Sequence, residues 1–291
     1  MSQLLIGDVN IQWESQGTSW KADQFTDLFK TESDLYTNGS IILREMKMEP
    51  EVFEKARILQ KTGGYELLQT DYGVFVMNHW AQCRFGYGFW AKDLESETVL
   101  PIYVNPKMKN QIPLSMDRFL STIGLHGRFL RKDGLVLHGS YIEYCGKAII
   151  FTAPSQTGKS TQAELWKVHK NAKIINGDRV LLRKRENKWQ AFGYPCCGSS
   201  LVCENVTLPL AAIVILEQNK ENKLEEMVLG QIIRSLVGAT ELYPWMEKEI
   251  GLAFSLAMEV VKEIPVVKLK CRPDKEAVEV LQIYLEEKGI W

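Results

Sequence analysis

Neither sign of charge dominates this chain of 291 residues: 35 lysines and arginines face 36 aspartates and glutamates, for a formal net charge of −1. Without a basic excess there is no electrostatic footprint for nucleic acid, and no such partner is expected. Long apolar runs are missing too. The longest, Leu210 to Leu216, is far too short to cross a bilayer, so no membrane span is expected. The opening residues Ser2-Gln3-Leu4-Leu5-Ile6-Gly7-Asp8 carry no signal pattern, and a cytoplasmic enzyme is the expectation. Cysteine is sparse and unpatterned. The six residues, at 83, 145, 196, 197, 203 and 271, include no C-x-x-C pair, and the four histidines do not cluster near them. Cys196, Cys197 and Cys203 fit no usual zinc spacing, so reduced, partly buried thiols are expected. Internal repeats, coiled-coil heptads and low-complexity linkers are also lacking. What remains is a composition with 45% hydrophobic residues, ordinary for a globular chain that can hold one large domain or two smaller ones.

One stretch stands out from that plain background. Ala153-Pro154-Ser155-Gln156-Thr157-Gly158-Lys159-Ser160 follows the apolar run Ala148-Ile149-Ile150-Phe151 and precedes the helix-like Thr161-Gln162-Ala163-Glu164-Leu165-Trp166. Strand, tight loop and helix, in that order, make the setting a phosphate-binding loop requires. Backbone N–H groups of such a loop, with those of the helix start, form a cradle for anionic oxygens. Lys159 would lie against the terminal phosphates, and the Ser160 hydroxyl would help to hold Mg²⁺. Residues 153–161 are therefore the expected nucleotide site, with ATP and Mg²⁺ as its expected occupants. Ala153 stands where the first glycine of G-x-x-x-x-G-K-[ST] belongs, which is compatible with a negative φ there.

The chain before this loop is β-rich and aromatic. Ser40–Arg44, Tyr65–Gln69 and Gly73–Met77 are expected strands, with Thr70-Asp71-Tyr72-Gly73 as a hairpin turn. Phe85-Gly86-Tyr87-Gly88-Phe89-Trp90 reads as the packed face of a sheet, its glycines marking bends. Leu114 to Leu130 has helical periodicity, and a boundary is expected near residue 110. Residues 1–110 then form a β-rich region for substrate or partner binding, and residues 111–291 a nucleotide-binding domain. Beyond Gly134 the pattern predicts strands at Leu135–Tyr144 and Ala172–Ile175, a hairpin from Val180–Arg183 to Lys188–Phe192, and a buried strand at Leu210–Glu217. Helices are expected over 225–241 and 244–262, then a strand at Val266–Leu269 and a last helix over 274–288 with Asp274 as N-cap.

Two further residues carry chemistry. Asp178 ends a predicted strand eighteen residues after Ser160, where a carboxylate can bind Mg²⁺ beside that hydroxyl. His138 lies near the end of the strand that pairs with the one feeding the loop, where it can polarise an acceptor, contact a terminal phosphate or take a proton. His79, His126 and His169 have no comparable context and read as structural.

Leu137-His138-Gly139, then residues 153–160, then Gly177-Asp178-Arg179-Val180 follow the order seen in HPr serine kinase/phosphorylase proteins, which this chain resembles over about residues 115–290. Phe192-Gly193-Tyr194-Pro195-Cys196-Cys197-Gly198-Ser199-Ser200 is similar to a loop of that kinase's relatives. Those include kinases of ribosomally made peptide pathways, and the phosphate loop is also similar to that of ATP-dependent phosphoenolpyruvate carboxykinases. The resemblance implies an α/β fold: a P-loop kinase core of the HPr kinase/phosphoenolpyruvate carboxykinase type with a mixed sheet, preceded here by a smaller β-rich region. It implies that Lys159 and Ser160 hold phosphates and metal, that Asp178 is the strand-end metal ligand, and that His138 is the upstream histidine.

This chain departs from the family at three places. Gly177 replaces the first of two adjacent aspartates, the one that acts as base toward the acceptor. Thr161 stands where an acidic residue is often found, and Cys196 replaces a tryptophan. Phosphorylase activity and HPr as acceptor are not carried over. The expected reaction is phosphoryl transfer from ATP to a hydroxyl, a serine of a peptide or protein, with Arg179 balancing developing charge and residues 198–200 capping the site as a mobile loop. A nucleotide-binding regulatory module and a small-molecule kinase are the alternatives, and a homo-oligomer is left open.

Overall fold

A computed structural model describes residues 3–16, 24–32, 39–47, 49, 51–61, 65–80, 83–89, 98–104, 120, 123–243 and 245–291. The protein is mixed α/β and divides into two compact units, Met1–Arg128 and Phe129–Trp291. The boundary expected near residue 110, and most of the helix expected from Leu114, lie outside the described residues. Among the described residues no helix is long and apolar enough to cross a membrane.

Among its described residues the leading unit has nine strands: β1 (Gln3–Ile6), β2 (Val9–Glu14), β3 (Lys30–Thr31), β4 (Ser40–Met46), β5 (Arg57–Lys61), β6 (Tyr65–Thr70), β7 (Gly73–Trp80), β8 (Cys83–Phe89) and β9 (Val99–Val104). Their order in the sheet is β3-β1-β2-β4-β9-β8-β7-β6-β5. The pairs β2–β4 and β4–β9 are parallel. The hairpin turn expected at residues 70–73 joins β6 to β7, where the Thr70 hydroxyl donates to Gly73 O at 3.0 Å and accepts from Tyr72 N at 3.1 Å. Phe53, on the single helical turn α1 (Glu51–Glu54), packs on Phe75 and Tyr103 with ring centroids 5.2 and 4.3 Å away. The aromatic run from Phe85 lies on β8 as far as Phe89, and Trp90 lies outside the described residues. The hairpin of β1 and β2, and strands β3, β5 and β9, were not read from the sequence; Pro101 interrupts the apolar run of β9.

A short helix, α2 (Leu125–Leu130), runs across the division between the units. The trailing unit continues with β10 (Gly134–Tyr144), β11 (Lys147–Thr152), α3 (Lys159–Lys170), β12 (Lys173–Asn176), β13 (Arg179–Arg185), β14 (Lys188–Phe192) and β15 (Thr207–Gln218). It ends with β16 (Lys223–Glu225), α4 (Leu229–Ala239), α5 (Glu247–Glu263), β17 (Val266–Cys271) and α6 (Lys275–Glu287). Strands β11, β15 and β17 are parallel neighbours. Alternation along them sends side chains to opposite faces. Ile149, Phe151, Ala212 and Val214 meet Ala163 and Trp166 of α3 and Leu281 of α6. Ile150 and Ile213 point the other way, onto Ile233 and Leu236 of α4 and Ala257 of α5. Each buried Val, Leu, Ile or Phe side chain among these stabilises the fold by about 1.5–3 kcal/mol.

The turn between β13 and β14 places Glu186 and Asn187 at φ 50° and 59°, the left-handed pair that a two-residue hairpin needs. Asp274 caps α6, its carboxylate accepting from Ala277 N at 3.3 Å. One expectation needs correction. The helix read from residue 225 begins at Leu229, and Lys223–Glu225 is instead a strand antiparallel to β17. There Glu225 pairs with Lys268 at 3.2 Å and Lys270 at 2.5 Å, cross-strand contacts that sequence periodicity does not contain. The helix read from residue 244 begins at Glu247, and Pro244 lies outside the described residues.

Candidate functional site

Strand β10 assembles the site. Along one edge its residues Gly139 to Tyr144 pair with β11, which delivers residues 153–158. Along the other edge it pairs with β12 through Tyr141–Asn176 and with β13 through His138–Arg179. These two pairs share one register, so Gly177 and Asp178 lie opposite Ser140 and Gly139. Gly139 N donates to Asp178 O at 2.9 Å, and the Ser140 hydroxyl donates to Gly177 O at 3.2 Å. The Thr152 hydroxyl, at the mouth of the loop, donates to His138 O at 2.9 Å. The loop and the turn at residues 176–179 are thus fastened to one strand.

Within the loop, positive φ values fall at Gln156 (63°) and Gly158 (116°), and Ala153 is not among such residues. That is why alanine is tolerated at the motif's first position, while Gly158 occupies a conformation that side chains resist. Helix α3 starts with no side-chain cap and no acid in its first turn. Gln162 N is bonded back to Gly158 O at 2.9 Å. The N–H groups of Lys159, Ser160 and Thr161, ahead of it, are the orphan donors of a helix start, and the helix dipole favours an anion there. Ser160 and Thr161 are exposed, and Lys159 is buried. The Lys159 ammonium donates to Ala153 O at 3.1 Å and Pro154 O at 3.3 Å. Burial lowers its pKa, and Asp178 works against that.

The expected residues His138, Lys159, Asp178 and Arg179 come together. His138 Nδ1 is 3.7 Å from Asp178 Oδ1. Burial lowers the histidine pKa, the charge of Lys159 lowers it further, and Asp178 opposes them. Together these favour the neutral imidazole. Arg179 is clamped between two carboxylates: it pairs with Asp178 Oδ2 through Nη1, and its Nε meets Glu241 Oε1 at 3.2 Å. Burial opposes the guanidinium charge, but Glu241, Cys196 and Asp178 outweigh it and raise its pKa.

The sequence reading missed Glu241 and the work of Asn176. Glu241 arrives because the chain after α4 rejoins the sheet, with Thr240 bridged to Leu137 and Glu241 N donating to Val136 O at 2.8 Å. Nothing local in the sequence announces that return. Asn176 is fully buried and uses its whole amide. Its Nδ2 donates to Tyr194 O at 2.7 Å and Cys196 O at 3.2 Å, while Oδ1 accepts from Asp178 N at 2.8 Å and Arg179 N at 2.9 Å. It ties the Tyr194–Cys196 segment to the turn that carries Asp178.

Residues 198–200 form a helical turn beside this segment. The Ser200 hydroxyl donates to Cys197 O at 2.6 Å. A Cβ added at Gly177 would lie 2.3 Å from both Cβ and Oγ of Ser200. The space of the missing carboxylate is therefore filled by a serine from another segment.

The oxygen donors suit a hard cation. Arg179 takes Oδ2 of Asp178, Oδ1 faces His138 Nδ1 at 3.7 Å, and the Ser160 hydroxyl is exposed. Among the described residues no three His, Cys, Asp or Glu cluster as a metal cage. Two oxygen donors would suit Mg²⁺ that takes most of its shell from phosphate oxygens and water.

Two cavities flank the loop. One, of about 630 Å³, reaches Gln156, Thr157, Gln218 and Lys268, and the other, of about 480 Å³, reaches His138 and Thr152. Both are bounded by Pro154, Ser155, Ile215, Arg234 and Ser235.

Residues 103–273 match the family described as ScmC, SynChlorMet cassette protein ScmC. Among solved structures the Hpr(Ser) kinase/phosphatase from Coxiella burnetii is similar, at 10% identity and a TM-score of 0.24, over 44% of this chain and 91% of that chain. No match was found among curated proteins.

Proposed function

The chain belongs to the SynChlorMet cassette protein ScmC family, and for this member we propose Mg²⁺-dependent phosphoryl transfer from ATP to a hydroxyl. The observation that carries the reading is an uncapped helix start with Lys159 beside it, set near the neutral His138 and the Asp178 carboxylate. The family description names a cassette and no reaction, so the proposal rests on these residues.

In this reading residues 153–158 are a P-loop, and the triphosphate lies on their N–H groups and those of Lys159, Ser160 and Thr161. Lys159 exchanges its two carbonyl partners for phosphate oxygens, a stronger, charge-assisted pairing. The Ser160 hydroxyl and the Asp178 carboxylate would hold Mg²⁺, which when bound offsets phosphate charge. An acceptor hydroxyl entering beside His138 forms the new O–P bond to the terminal phosphorus as the bond to the ADP oxygen breaks. Its proton passes to the neutral imidazole. His138 thereby supplies the base that Gly177 cannot. Arg179, matched by two carboxylates, positions Asp178 and has little charge to spare for the transferring group.

We take the acceptor to be a serine of a peptide or protein, with a small hydroxy compound as the alternative. Residues 1–110 would bind that acceptor or another partner, and residues 111–291 the nucleotide. A second reading, a nucleotide-binding regulatory module, is favoured by Ser200 standing where a catalytic carboxylate would have to fit.

Incubation with γ-labelled ATP, Mg²⁺ and panels of serine peptides and hydroxy amino acids tests the proposal. Label should pass to one acceptor class, and Lys159→Ala should lower turnover by about ten- to hundredfold, the worth of one charged hydrogen bond. Undiminished ATP consumption by that variant would overturn the assignment. Tight binding with no transfer to any acceptor would move the protein to the regulatory reading.

A further inference from the structure

Helix α4 presents two faces. Ile233 and Leu236 enter the core. Gln231, Arg234, Ser235 and Gly238, spaced by three, one and three residues, bound the cavities beside the loop. That spacing places them on one side of the helix. Arg234 and Ser235 border both cavities, together with Pro154 and Ser155, so they stand where the two spaces meet over the first half of the loop. This is also the half whose carbonyls hold Lys159.

The cations around the site differ in what they have left to give. Arg179 is held by Asp178 and Glu241. Lys268, in the larger cavity, is paired with Glu217 at 3.3 Å and Glu225 at 3.2 Å. Arg234 is exposed and makes no ion pair or hydrogen bond among the described residues. An unmatched guanidinium at the junction of two cavities, beside an anion-binding loop, is suited to a tetrahedral oxyanion, which it can engage through two N–H groups at once.

We propose that Arg234 binds the terminal phosphoryl group of a nucleoside triphosphate, on the side of the cavity lined by α4. The inference rests on the phosphate-loop reading above. It deepens that reading by naming the group that tells a triphosphate from a diphosphate: Lys159 and the loop N–H groups serve both nucleotides, and Arg234 serves the third phosphate.

Calorimetric titration of the full chain with Mg²⁺ and either ADP or a non-hydrolysable ATP analogue tests this without knowledge of the acceptor. The wild-type protein should bind the triphosphate more tightly. Arg234→Ala should weaken triphosphate binding by about ten- to hundredfold and change ADP binding by no more than about twofold. Arg234→Lys should recover part of the loss, keeping charge without the fork. Equal losses for both nucleotides, or no loss for either, would overturn the assignment. If Arg234→Ala bound both nucleotides normally and only raised the KM of an acceptor, the arginine would read an acceptor anion and the proposal would again fall. A wild-type protein that bound neither nucleotide would bring down the phosphate-loop reading and this inference with it. Normal wild-type binding with an unchanged preference in the variant would remove Arg234 alone.

Discussion

The loop at residues 153–160 and the cluster around His138 sit side by side, yet they are built from different materials. In the proposed reading the loop works through backbone N–H groups and a helix start, so most of its side chains would be free to vary, and Ala153 does so without a positive φ. The cluster consists of side chains held at fixed separations by strand register. His138, Asp178, Arg179 and Glu241 meet because β10 carries partners on both edges. A backbone device is tolerant of sequence and can be recognised from a short motif. A side-chain device tolerates few changes and is visible only once strands are paired.

That contrast can be strained from the side-chain end first. His138→Gln keeps a hydrogen-bonding side chain of similar reach and removes the titrating group. Turnover should fall by about a hundredfold or more, the usual worth of a general base, while nucleotide affinity stays near that of the wild-type protein. Steady-state rates over pH sharpen the point. Burial and Lys159 place the His138 pKa below its ordinary value, so the wild-type acid limb should lie below about pH 6.5 and vanish in the variant. The linkage has the same sign. The unfolded chain takes up this proton more readily than the folded one, so acidification through that range also lowers stability.

A smaller effect is expected where the two devices meet the turn at residues 198–200. Gly177→Asp restores the carboxylate that the resemblance calls for, but its Cβ collides with Ser200. Overpacking of this kind costs about 1–3 kcal/mol, read as a lower midpoint in denaturant. Ser200→Gly added to it should return most of that loss. If the single variant were as stable as the wild-type protein, the turn would yield easily and the packing account of Gly177 would fail. The smallest effect belongs to the loop. Ala153→Gly completes the usual motif, and because φ is already acceptable to alanine it should change nucleotide affinity by no more than about twofold. Its stability should drop by about 0.4–1 kcal/mol, since glycine adds freedom to the unfolded chain.

Legibility followed the same division. The strand, loop and helix around Lys159, the hairpin with Glu186 and Asn187, and the Asp274 cap were readable because each depends on neighbours within a few residues. Asp178 and His138 were singled out through their place in an ordered set of motifs, and the fold brings them within 3.7 Å of each other. Glu241 was not, since its arrival depends on the chain after α4 bridging back to Leu137. Arg234 and Ser235 were missed although their spacing with Gln231 and Gly238 was a usable signal. A polar stripe on an amphipathic helix normally faces water, and only the cavities give it another meaning. The error at residues 225–228 was of the same kind, with the cross-strand pairs of Glu225 to Lys268 and Lys270 outweighing helical periodicity.

The sequence by itself determined the strand, tight loop and helix around Lys159, the alternation that buries β11 and β15 between two layers of helices, and the family to which residues 103–273 belong. These rest on local backbone preference and on burial, which are written in short stretches. Tertiary structure decided the rest. It brought Ser200 to where a Cβ on Gly177 would stand, locked Arg179 between two carboxylates, and left Arg234 as a cation without a partner among the described residues at the junction of two cavities. Each of these depends on which remote segments come within a few ångströms, and electrostatic and steric terms act over that distance and not along the chain.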